Sequence, residues 1–262
     1  MTKIRIKSRS EIEAMRRSSK AASILLQRIG ETIEIGVSTY ELDRVSRATI
    51  KELGGISSFL GYQLPHHTPY PATICASINE EIIHGIPSKN RILKDGDIIG
   101  IDTAIYLDGF HGDNAFTFTV GEISADAQKL LDVTRTSLYK AIEAASPKNR
   151  LGDVCFAVQN YVEAHGFSVA RDFVGHGIGR QMHEPPQVPN YGQPRKGVRL
   201  RPGMVLAIEP MVNAGTHEAT VLEDGWTAVT ADRSLSSHFE HTVAILSDGP
   251  EILTYNSELW GN

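Results

Sequence analysis

Apolar residues recur along the chain in two rhythms. Ile12, Met15, Ala22, Leu25, Leu26 and Ile29 fall at roughly helical spacing behind Ser10 and Glu13, a pair in capping-box register, and predict a first helix. Ser38 and Glu41 repeat the device ahead of Leu42, Val45 and Ile50, and Gly54-Gly55 supplies a stop, which predicts a second. From Asp97 the rhythm changes. Ile98-Ile99-Gly100-Ile101 and Ala104-Ile105-Tyr106-Leu107 lead into Asp108-Gly109, the dipeptide of a two-residue hairpin, and Phe116 to Val120 continues the returning arm. Helical patterns return around 130–142 and 154–163, the latter ending near Gly166. After a proline-rich stretch over 185–194, strand-like runs are expected at 205–212, 226–230 and 239–246.

Helix, helix, hairpin, then helix, helix, strands suggests an internal duplication. Leu93-Lys94-Asp95-Gly96 leading to Ile101-Asp102 aligns, at a constant offset of 107, with Leu200-Arg201-Pro202-Gly203 leading to Ile208-Glu209. Two related halves, residues 10–120 and 121–254 of one catalytic domain over 1–262, would face each other and bring these acids to their interface.

Composition narrows the class. A chain of 262 residues buries a substantial core without disulfides, and Cys75 and Cys155 form no C-x-x-C pair. Neither a disulfide framework nor a cysteine zinc site is expected, and the reducing cytoplasm is the expected location. The net charge of -5, with both signs mixed, argues against a nucleic-acid binder built on a basic patch. The first thirty residues lack a signal-peptide core, and no run of about 18 apolar residues predicts a membrane span.

Acidic residues inside apolar runs carry the candidate chemistry. If Asp108-Gly109 is the tip of the hairpin, Leu107 pairs with Phe110 and Asp113 stands opposite Ala104. Asp102 shares a face with Ala104, so Asp102 and Asp113 become diagonal neighbours ~7–8 Å apart, able to hold cations between them. Exposed acids on an edge hairpin are the alternative, but the flanking residues are mostly apolar, and an unpaired buried carboxylate is costly where a metal-bound one is not. His176 stands among Gly175, Gly177 and Gly179, which permit close approach at a crowded centre. Glu209 and Glu240 are each an acid inside a strand-like run. The set Asp102, Asp113, His176, Glu209 and Glu240 is rich in hard oxygen and lacks thiolate, which favours divalent Mn, Fe(II), Co or Zn. Four carboxylates balance two divalent ions, and two ions can share a water, lower its pKa and clamp a carbonyl.

With these residues in view, the chain resembles type I methionine aminopeptidases. The resemblance rests on Ser77-Ile78-Asn79-Glu80 through His84-Gly85-Ile86-Pro87, Asp108-Gly109-Phe110-His111-Gly112-Asp113, Gly175-His176-Gly177-Ile178-Gly179-Arg180, Ile208-Glu209-Pro210-Met211 and Glu240-His241-Thr242. It implies an α+β pita-bread fold, two pseudo-symmetric halves whose antiparallel sheet is covered by helices. It also implies co-translational removal of the initiator methionine from nascent polypeptide N-termini ahead of a small second residue. By the same resemblance Asp113 and Glu240 bridge two ions, Asp102 completes one shell, and His176 with Glu209 completes the other. Glu209 is also the implied proton shuttle, His183 steadies the oxyanion, and His84 contacts the scissile amide. Tyr62, Tyr70, Cys75 and Trp226 resemble the pocket for the methionine side chain, where soft and aromatic contacts suit a thioether. The expected enzyme is a monomer without membrane contact, and ribosome docking and the physiological metal stay open.

The chain departs from the common bacterial pattern between Gly61-Tyr62 and Tyr70-Pro71. There Gln63-Leu64-Pro65-His66-His67-Thr68-Pro69 replaces a shorter run, which bears on where Tyr62 and Tyr70 sit. His66 and His67 are a chance metal pair or, more simply, loop histidines. Phe59 and Met182 also differ from the expected pocket residues. Two other classes share the fold: proline-directed peptidases, which usually carry a further N-terminal domain for which the residues before Ser10 leave no room, and non-catalytic binding modules, which have lost ligands that are all present here.

Overall fold

Ser8 rather than Ser10 starts the first helix in the computed structural model, which describes residues 4–65 and 67–261. Its side chain accepts from the Glu11 amide while Glu11 reaches back to the Ser8 amide, completing a capping box two residues ahead of the expected one. Helix α1 (Arg9–Gly30) is followed by α2 (Thr39–Glu52), which Ser38 caps as expected, although Glu41 turns to Arg44 instead of back to Ser38. Strands β1 (Ile56–Ser57), β2 (Ile74–Ile78), β3 (Glu81–Ile83), β4 (Ile98–Leu107) and β5 (Phe110–Thr119) come next. Helices α3 (Ala125–Ala144) and α4 (Leu151–Ala164) follow the hairpin. Strands β6 (Ser168–Val169), β7 (Val174–Gly177), β8 (Glu184–Pro189), β9 (Val205–Ile208), β10 (Met211–Asn213) and β11 (Ala219–Val221) follow. The chain closes with β12 (Ala228–Thr230), β13 (Ser236–His238), β14 (Glu240–Ile245), β15 (Pro250–Ile252) and the short helix α5 (Ser257–Trp260).

The hairpin register is the expected one. Leu107 pairs with Phe110 and Ala104 with Asp113, across a turn whose Asp108 and Gly109 both have positive φ, 52° and 84°. The pair β4–β5 lies in a nine-stranded antiparallel sheet ordered β1-β4-β5-β14-β9-β7-β8, with β2 beside β4 and β15 beside β14. Helices α1 and α2 pack on Ile99, Ile101 and Ile105 of β4, and α3 and α4 pack on Leu206, Ile208, Val243 and Ile245. The strand period of two therefore turns Asp102 and Ala104 to the opposite face, away from α1 and α2. No helix among the described residues is long and apolar enough to cross a membrane.

One expected strand proves to be broken. The run over 205–212 divides at Glu209-Pro210 into β9, in the large sheet, and β10, in a three-stranded sheet with β13 and β6. Glu209 thus sits at a joint rather than inside a strand. Phe239 makes the same break between β13 and β14, and its amide donates to the Pro210 carbonyl at 3.3 Å. Proline has no amide to donate, so the ladder stops there and the paired strands change sheets together. The first part of the proline-rich stretch over 185–194 supplies the edge strand β8, a position where missing amides cost nothing.

Candidate metal and active site

Three neighbouring strands bring the acids together. Ala115 on β5 is paired with Asp102 on β4 and with Glu240 on β14, so both carboxylates flank one buried alanine, and Asp113 lies two residues along on the same face. From the other side β9 carries Glu209 at its end, and β7 holds His176 opposite Ala207. Carboxylate oxygens of Asp113 and Glu240 and a ring nitrogen of His176 lie within 4.8 Å of one another. His176 Nε2 is 3.7 Å from Asp113 Oδ2 and 3.6 Å from Glu209 Oε1. Asp102 and Glu209 stand just outside that tightest group, on its two flanks. The glycines around His176 serve packing: a Cβ at Gly175 would meet the Ala207 carbonyl oxygen at 2.4 Å.

The electrostatics call for a cation. Asp102 Oδ1, Asp113 Oδ1 and Glu240 Oε1 are buried without any hydrogen-bond donor. Burial holds the Asp102 carboxyl up at about 7 and, with the charges of its neighbours, holds Asp113, Glu209 and Glu240 well above the ordinary carboxylate range. Burial also pushes His176 down to about 3, so its ring is neutral. His176 Nδ1 lies 3.0 Å from the Gly177 carbonyl oxygen, which accepts its proton and leaves the Nε2 lone pair aimed at the carboxylates. Orphaned carboxylate oxygens around one imidazole lone pair fit a divalent ion and leave a dry, unfilled carboxylate cluster strongly disfavoured.

An apolar pocket adjoins this centre. Phe59, Tyr70, Ala72, Cys75, Ala104, Met182 and Trp226 form one buried cluster, with Tyr62, Leu64 and Ile86 packed against it. Tyr70 and Trp226 meet edge to face at 5.2 Å, and Asp224 fixes the tryptophan by accepting from the amides of Trp226 and Thr227, each at 2.8 Å. Phe59 and Met182, the two departures in sequence, are both in the wall. The long loop is closed at its neck, where Gly61 donates to the Tyr70 carbonyl at 2.8 Å and Tyr70 to the Tyr62 carbonyl at 2.9 Å. His67 turns away from the acids to the Gly225 carbonyl, and His66 lies outside the described residues. Pocket and acids line one cleft of about 1410 Å³.

His84 and His183 also line the cleft. His84 takes a left-handed backbone conformation, φ 60°, and its ring stands edge-on to Trp226 and Phe173, each at 6.1 Å. Burial lowers His84 to about 4. The ring of His183 is 4.3 Å from that of His176. Two neighbours escaped the sequence. His238 Nε2 is buried, unpartnered, and 3.7 Å from Glu209 Oε2, and Phe173 braces His84. The one signal was His238 standing two before Glu240, but the break at Phe239 separates them into different sheets.

Comparison with known proteins agrees with this geometry. The model of metallopeptidase family M24 matches residues 13–247. The chain is 51% identical to a methionine aminopeptidase of Clostridium acetobutylicum over 95% of this chain and 98% of that one. The crystal structure of methionine aminopeptidase from Thermotoga maritima superposes with a TM-score of 0.93 at 45% identity, covering 97% of this chain and 100% of that one. A prolidase from Pyrococcus horikoshii OT3, at 22% identity and a TM-score of 0.75 over 96% of this chain and 63% of that one, shares the α+β pita-bread fold alone. With four clustered acids, one neutral histidine and near full-length similarity all in agreement, the chain belongs to metallopeptidase family M24, among its methionine aminopeptidases.

Proposed function

We propose that this protein removes the initiator methionine from nascent polypeptides by hydrolysing the first peptide bond, with a small residue preferred in second place. One observation carries the proposal: a buried, unneutralised carboxylate cluster opens directly onto a pocket lined by Cys75, Met182, Phe59, Tyr70 and Trp226, soft and aromatic groups that suit a thioether. Asp102, Asp113, His176, Glu209 and Glu240 would hold two divalent cations. Bound there, such ions supply Lewis acidity, lowering the pKa of water and polarising a carbonyl. Glu209, at the joint between β9 and β10, would take the proton of the attacking water and pass it to the leaving amine. His183 donates to the developing oxyanion and His84 contacts the scissile amide, while Asp102 faces the substrate's free amine.

The cytoplasm, where new N-termini emerge, is the proposed location, with a monomer as the working form and the ribosome as the place of encounter. We also propose that the two halves are a duplication, since β4–β5 and β9–β14 flank the β5–β14 seam in mirrored order. The test strips the protein of metal, restores Mn, Co, Fe(II) or Zn singly, and assays Met-Gly and Met-Lys peptides against X-Pro peptides. Methionine release from Met-Gly with at least one metal is expected. No release with any metal, or preferential X-Pro cleavage, overturns the proposal.

A further inference from the structure

Tyr62 was expected to line the side-chain pocket, but its hydroxyl points elsewhere. Tyr62 Oη lies 2.6 Å from Nδ1 of His183, and the two rings meet edge to face with centroids 5.2 Å apart. The backbone of Tyr62 is held by its own amide, which donates to Phe59, and by its carbonyl, which accepts from Tyr70. The phenol therefore reaches His183 from a fixed base, whatever the residues between them in the loop do.

We propose that Tyr62 is a positioning residue, which sets the tautomer and orientation of His183 so that Nε2–H faces the scissile carbonyl. This rests on the aminopeptidase reading for what occupies the cleft. A neutral imidazole carries one N–H, and the nitrogen that accepts a hydrogen bond leaves the proton on the other. Between the two possible directions of this bond, the phenol is the better donor: its O–H, with pKa near 10, is far more acidic than a neutral imidazole N–H. Tyr62 Oη has no other hydrogen-bond partner among the described residues, so its one proton goes to Nδ1. Nε2 is then a donor by construction. The opposite tautomer would present a lone pair to an oxyanion, which repels it.

The test substitutes Tyr62→Phe, which keeps the ring and removes the hydroxyl. The 15N shifts of the His183 ring should report the Nε2–H tautomer in the wild type and a mixture in the variant, a readout independent of substrate. With a Met-Gly peptide, kcat should fall about tenfold, part of the roughly 100-fold or greater effect of losing an oxyanion donor outright, while KM changes by less than about twofold. In an H183A background Tyr62→Phe should add nothing further, because it acts only through the histidine. A wild-type His183 protonated at Nδ1, an effect confined to KM, or a full additional loss in the H183A background would overturn the proposal and leave Tyr62 as a pocket wall. If no peptide is cleaved at all, the aminopeptidase reading fails while the tautomer measurement still decides the hydrogen bond.

Discussion

At the scale of single residues, the centre is defined by polar atoms that the protein leaves unsatisfied. Asp113 is 2% exposed, its Oδ1 has no donor, and its other oxygen faces a histidine lone pair. Such a group is tolerable only if something positive is expected beside it. Asp113→Ala should abolish binding of at least one divalent ion in calorimetric titration and lower turnover by about 1000-fold or more, with the circular dichroism spectrum preserved. Retained turnover would show that the shared ligand lies elsewhere. The sequence exposed the five proposed ligands because acids inside apolar runs and a histidine among glycines break the expected pattern. It could not expose His238, since a histidine beside a strand end is unremarkable until the break at Phe239 aims it at Glu209.

At the scale of elements, the hairpin was legible and its setting was not. Asp108-Gly109 dictates a two-residue turn, and the turn dictates that Asp113 faces Ala104, because a hairpin's register is a local property. The close packing of α1 on β5 is nonlocal. A Cβ at Gly112 would lie 2.5 Å from the Ser18 carbonyl and 2.6 Å from the Ser19 amide nitrogen, backbone atoms that cannot step aside. Gly112→Ala should therefore destabilise the protein by about 3 kcal/mol in denaturant melts, the upper range for overpacking. A change below about 0.5 kcal/mol would mean that α1 shifts freely on the sheet.

A second long-range tie joins the start of the chain to the site. Lys7 Nζ and Glu184 Oε2 pair at 2.9 Å with both side chains almost wholly buried, and Glu184 also accepts from the Gln181 amide, beside His183. Lys7→Met alone strands a buried carboxylate and should cost about 3–5 kcal/mol, whereas the Lys7→Met, Glu184→Leu double variant should recover most of it. If the double variant is as unstable as the single, the pair contributes packing rather than compensated charge.

For the whole molecule, assembly of the site opposes folding until cations arrive. Burial raises Asp102 from its ordinary value to about 7, so the metal-free folded state binds this proton more tightly than the unfolded chain does. The contribution is fully present below the unfolded value near 3.8 and is lost as pH rises through about 7, and Asp113, Glu209 and Glu240 shift in the same direction. Six histidines whose rings burial holds neutral pull the other way, since only the unfolded chain protonates them near pH 6.5. Asp102→Asn isolates the carboxyl: in chelator-treated protein the variant should gain melting temperature relative to the wild type as pH rises from 5.5 to 8, and a saturating divalent ion should stabilise the wild type by about 2.7 kcal/mol at 100 times its Kd. A difference between variant and wild type that stays constant over that interval would contradict the raised Asp102 carboxyl.

By itself the sequence determined the four long helices, the hairpin and its register, the candidate ligand residues and, through similarity of motifs, the family. These rest on period, turn chemistry and residue type, all read within a few positions. Only the tertiary structure decided that Glu209 and Glu240 sit where two paired strands change sheets, that Ala115 separates Asp102 from Glu240, and that Tyr62 addresses His183. Those are relations between segments up to 138 residues apart, as for Asp102 and Glu240, and they arise from sheet order and packing, for which the local pattern carries no signal.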